Sequence, residues 1–139
     1  MKALRSGYAL LSWLFVSGIA IQVFLAGMVV VARQMSWDGH RYFGAAVGML
    51  SVFQLIAAYL ARVPGDVKRL NWLLFVLLHL QISMVILRGS VPVLSALHPV
   101  LALAVFGLAF ALARRASQVA REPVERPISS KTVSEAPAS

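Results

Sequence analysis

The sequence predicts an all-α fold: an integral membrane four-helix bundle built from two tandem helical hairpins with pseudo-twofold symmetry, followed by a polar tail. Three observations carry this. Of 139 residues, 60% are hydrophobic and the mean hydropathy is +0.80, against about 45–50% apolar residues in soluble domains. Apolar runs of about 20 residues recur along the chain, the length that crosses a hydrocarbon core about 30 Å thick. The chain also echoes itself. Trp13 and Trp72 are each followed nine residues later by a glutamine, Gln22 and Gln81. His40 then follows Gln22 by eighteen residues and His98 follows Gln81 by seventeen. Ala46-Val47 and Leu50 recur after the second His as Ala104-Val105 and Leu108. A fixed-offset echo marks an internal repeat.

The elements follow in order. Lys2 and Arg5 form a short basic lead, and Tyr8 to Ala32 is an apolar run, longer than the roughly 7–15 residues of a signal-peptide core. It reads as a retained first span, about 8–32. Arg33 to Gly39 is a polar loop in which Trp37 suits the aromatic belt at a membrane interface. The second span is expected at about 40–61, ended by Pro64-Gly65, the strongest breaker pair in the chain. The third runs over about 70–87. Gly89, Ser90 and Pro92 mark a loop, and the fourth span covers about 95–113, with Pro99 in its first turn, where a missing donor costs nothing. Residues 1–115 thus form the bundle domain. Ala116 to Ser139 holds almost no large apolar side chain and is expected to be a disordered cytoplasmic tail, solubilising or partner-docking.

Charge sets the expected orientation. Lys2, Arg5, Arg62, Lys68, Arg69, Arg114, Arg115 and Arg121 fall on one side of the four spans, and Arg33, Arg41 and Arg88 on the other. The positive-inside rule puts both termini in the cytoplasm, as in a bacterial inner-membrane protein. The net charge of +8 therefore reads as lipid-side asymmetry and calls for no nucleic acid. The absence of cysteine excludes disulfides, iron–sulfur clusters and thiolate zinc. No P-loop, dinucleotide fingerprint, zinc-protease helix or nucleophile elbow occurs.

What remains is a pair of histidines. Spans two and four run the same way, so His40 and His98 start their helices at equal depth and can face each other across the bundle. Two opposed imidazoles suit the axial positions of a haem iron, each needing an acceptor behind its other ring nitrogen, for which Asp38 or a loop carbonyl is available. Gly44 and Gly48, on the helix that His40 opens, offer a wall for the macrocycle, and Arg33, Arg41 and Arg88 offer cations for its propionates. Each feature also has a plainer reading. The histidines can bond loop carbonyls, the glycines can be a helix-packing face, and the arginines can reach headgroups. His79 falls mid-span, where an interhelical bond is expected, as it is for Gln22 and Gln81.

These residues resemble one four-helix half of the haem A synthase family, over roughly Trp13 to Ala113. The likeness rests on His40 and His98, on H79-L-Q81 in the third span, and on Asp38 just upstream of the first His. It implies haem-ligating histidines at the outer ends of helices two and four. The chain also looks similar to small four-span bacterial membrane proteins of unassigned function. It departs from the synthase pattern in having one bundle and one His per helix mouth, which argues against haem A synthesis by this chain and leaves haem b binding open.

Two functions are therefore expected to compete. One is a haem-b-binding, cytochrome-b-like electron-transfer subunit working with a quinone or a larger membrane complex. The other is a non-catalytic accessory or assembly subunit with structural histidines. Proton-coupled transport usually needs an acid within a span, and here Asp38 and Asp66 fall in loops.

Overall fold

A computed structural model describes residues 1–122, including the backbone but not the side chain of Arg88. The described chain is helical: α1 (Lys2–Val30), α2 (Trp37–Leu60), α3 (Gly65–Ile86), a 3-10 turn (Leu87–Gly89), the single-turn α4 (Pro92–Ser95) and α5 (His98–Arg121). Four stretches are long and apolar enough to cross a membrane, the fourth spanning Pro92–Arg121. Their outer faces stay apolar: Leu10, Phe24, Leu60 and Leu103 are all more than 60% exposed. A helix that is apolar all round needs an apolar surrounding.

α1 packs against α2 and α5, and α3 packs against the same two, which leaves α2 and α5 at opposite corners. Side-chain bonds fix the direction of each neighbour. Ser12 of α1 meets Gln54 near the end of α2, Asn71 near the start of α3 donates to the Gln54 carbonyl, and Trp13 near the start of α1 donates to Ser117 near the end of α5. All four neighbouring pairs run antiparallel. The middle of the core is apolar, with Phe15, Leu74, Leu112 and Val105 fully buried. Towards the terminal end a polar layer interrupts it, formed by Ser12, Gln54 and Asn71, each at most 2% exposed. Asp66 and Arg115 close that end across α3 and α5 at 2.9 Å.

Several helix ends differ from the sequence reading. α1 begins at Lys2, where Lys2, Ala3, Leu4 and Arg5 are all good helix formers, and α3 begins at Gly65, where Asp66 in the first turn suits the positive end of the helix dipole. α5 continues to Arg121, so Ala116 to Arg121 belongs to the bundle and not to the tail. Ala116 and Val119 are at most 1% exposed, and this Ala/Val stripe gives the last turns a buried face. Residues 123–139, the rest of the expected tail, lie outside the described residues.

Candidate functional site

The site forms at the end of the bundle away from the termini. Ser36 caps α2 by accepting the Asp38 N–H at 3.3 Å, and the helix start places His40 in its first turn. Pro92 starts α4, and after this single turn His98 opens α5, with Pro99 beside it.

Each imidazole is held from behind by the helix that precedes its own. His40 Nδ1 donates to the Gln22 backbone carbonyl of α1 at 3.1 Å. His98 Nδ1 donates to the Gln81 backbone carbonyl of α3 at 3.2 Å. A carbonyl only accepts, so the neutral rings carry their protons on Nδ1 and keep the Nε2 lone pairs free. Across the bundle the two ring centroids stand 6.4 Å apart with their planes at 75°.

Beside the pair lies a cavity of about 710 Å³, within the range of ligand-enclosing pockets. Most of its wall comes from α2 and α3, with Ser95 of α4 at one end. Gly44 and Arg41 line it. A Cβ at Gly44 would collide with the Gln22 carboxamide, so only glycine lets that side chain cross beneath His40. Among the described residues no group of three or more His, Cys, Asp or Glu side chains gathers as a metal cluster. The side chains alone therefore offer at most the two imidazoles as nitrogen ligands.

Of the other expected site residues, Gly48 and Arg33 fall elsewhere, and the side chain of Arg88 lies outside the described residues. Gly48 is buried away from the cavity, and a Cβ there would meet Ile82 Cδ1 at an ordinary 3.9 Å. Arg33 is exposed in the turn that ends α1, in the left-handed region at φ 53°, a common way to stop a helix. Asp38 does not back His40. Its carboxylate accepts from Ser36 and pairs with Arg41 at 3.4 Å, both side chains being more than 60% exposed. His79 bonds within its own helix, donating to the Phe75 carbonyl at 2.8 Å, and not between helices. Gln22 and Gln81 use their main chains to hold the histidines, while both carboxamide oxygens are buried without a partner among the described residues.

Sequence reading missed Trp37 and Ser95 as lining residues. Trp37 stands edge-on to His40, centroids 5.6 Å apart. For Trp37 the signal was present: it precedes His40 by three residues on α2, the spacing that shares a helix face. Ser95 and His98 lie on different helices, so their spacing carried no such signal.

Residues 22–87, just under half of the chain, are similar to DUF6220, a family of unknown function. That segment holds His40 and both carbonyl-bearing glutamines and ends before His98. No curated protein and no solved structure matches the chain.

Proposed function

We propose that this chain is an integral membrane protein of a bacterial inner membrane that holds haem b between His40 and His98, as a cytochrome-b-like electron-transfer subunit. The observation that carries the reading is the paired imidazoles: two rings 6.4 Å apart, each with Nδ1 committed to a carbonyl. Both rings line one cavity and each keeps its Nε2 free while Nδ1 is engaged, so the residues fit the group and would hold its iron. Backing of Nδ1 by an acceptor fixes ring orientation and raises the basicity of Nε2, as metal-ligating histidines commonly require.

When bound, haem supplies one-electron transfer. The protein's part is to orient and enclose. His40 and His98 would present Nε2, Gly44 lets the Gln22 carboxamide cross beneath His40, and the apolar side chains of α3 help to exclude water. Arg41 is the cation at the rim that meets an acidic substituent. Gly48 and Arg33 stand outside this role. Equivalent bonds in the two halves support a pseudo-twofold relation between tandem hairpins. The surplus of Lys and Arg at the terminal end supports cytoplasmic termini. Electrons pass to or from a quinone or a larger membrane complex.

The competing reading is an accessory or assembly subunit, favoured by the fact that a carbonyl at Nδ1 already gives each histidine a structural role. A reduced-minus-oxidised visible spectrum of detergent-purified protein, expressed with a haem precursor supplied, separates the two. Sharp α and β bands support the haem reading. A featureless spectrum removes it and leaves the accessory subunit.

A further inference from the structure

The cavity does not sit evenly among the helices. α1 contributes Gln22 and α5 contributes only its first two residues, while α2 and α3 supply most of the wall. On α2 the lining positions Trp37, Arg41 and Ala45 repeat every four residues, which puts them on one stripe. On α3 the facing positions are Ile82, Val85 and Ile86. Ala45 is exposed and Ile86 is 77% exposed, so the lips of the cavity lie on the lipid-facing side of this seam. At Ala45 the wall is a single methyl group, and beside it Gly44 has none. The seam is polar at one end, with Arg41 and the Trp37 indole, and apolar along the rest.

We propose that the cavity is filled sideways from the bilayer, through the seam between α2 and α3, by an amphiphilic acid that enters apolar edge first and leaves its acidic edge at Arg41. This rests on the haem reading for the identity of the ligand, but not for the position of the opening. A flat apolar ring partitions into lipid, and a gap walled by Ala45, Ile82 and Ile86 receives it without breaking backbone bonds. The alternative path from water passes α4, and a ligand taking it would first have to carry its apolar face out of the bilayer.

The test uses the full chain in phosphatidylcholine vesicles, with haem b dissolved beforehand in the lipid, and follows the Soret band over time. Ala45→Trp and Ile86→Trp should slow loading about tenfold or more, whereas Val93→Trp, on the exposed face of α4 outside the cavity lining, should leave the rate within about twofold of wild type. Slow loading in Val93→Trp with wild-type rates in the two seam variants would overturn the lateral route. A second measurement needs no haem. The chain has no cysteine, so Val85→Cys takes a single nitroxide label. Collision with bilayer-dissolved oxygen should exceed collision with an aqueous nickel chelate, and adding Ala45→Trp should lower the oxygen signal several-fold. Dominant nickel collisions would overturn the route. If wild type binds no haem yet the label reports oxygen, the haem reading fails while the lateral opening stands.

Discussion

The His40 and His98 rings face each other across the diagonal of the bundle with centroids 6.4 Å apart, each tied through Nδ1 to a glutamine carbonyl on the preceding helix. Both acceptors are main-chain carbonyls in regular helices, so neither depends on a glutamine side chain finding its rotamer. Such backing loses little entropy on ligand binding, which is the benefit of a preorganised site.

Gly44 and Gly48 should separate on substitution. Gly48→Ala should keep haem binding and change stability by less than about 1 kcal/mol, since its new methyl makes only an ordinary contact with Ile82. Gly44→Leu should abolish the haem spectrum while leaving the far-ultraviolet circular dichroism unchanged, because the new side chain displaces the Gln22 carboxamide and crowds the cavity beside His40. Equal retention of haem in both variants would count against the cavity as the ligand site.

Trp37 should report occupancy. It lines the cavity and touches His40 edge-on, whereas Trp13 bonds Ser117 and Trp72 bonds Tyr59 at the terminal end. In single-Trp variants made by Trp→Phe changes, haem titration should quench Trp37 emission far more strongly than that of Trp13 or Trp72. Equal quenching of all three would point to haem dissolved in the detergent.

The fold should survive without ligand, because its core lies away from the cavity. Haem-free protein should keep its helix content, and haem at a hundred times its dissociation constant should add about 2.7 kcal/mol to stability, the mass-action value for one site. Unfolding in mixed detergent with and without haem measures this. Identical unfolding curves would exclude specific binding.

Core substitutions should rank by packing and not by apolarity. Phe15→Ala, at a fully buried position, should cost about 2–3 kcal/mol, at or below the low end for soluble cores, because lipid is as apolar as the core. Asn71→Ala removes its bond to the Gln54 carbonyl and should cost about 0.6 kcal/mol and no more than about 1.7, the average and the maximum for hydrogen bonds between membrane helices. A larger loss at Asn71 than at Phe15 would contradict this order.

Much of this was legible in the sequence, and the rest was hidden for physical reasons. Hydropathy located the four long helices because their apolar faces look outward as well as inward. The spacing from Gln22 to His40 and from Gln81 to His98 marked the repeat, but pointed to bonds between the hairpins and not from each glutamine to its own histidine. It did not show that the glutamine carbonyls, and not the carboxamides, make the contact, since every residue type offers a carbonyl. Asp38 looked like the partner of His40 by proximity in sequence, yet in the first turn of α2 its carboxylate turns back to Ser36 and Arg41. The last turns of α5 read as tail because Arg114, Arg115 and Arg121 dominate the composition. Leu112, Ala116 and Val119, at three- and four-residue spacing, mark the buried stripe that composition averages away. The two halves also differ at one position that the repeat aligns. Four residues after His40 stands Gly44, and four after His98 stands Ala102. Gly44 lines the cavity and Ala102 does not, so the echo of the two histidines does not extend to the wall beside them.

The central claim is that both imidazoles hold one ligand, and the direct measurement is the visible and electron paramagnetic resonance spectrum of haem-loaded His40→Ala and His98→Ala. Wild type should be low-spin, each single variant should become high-spin, and added imidazole should restore the low-spin signal in both. His79→Leu should leave the wild-type spectrum intact. A low-spin spectrum that persists in either alanine variant without added imidazole would contradict the account.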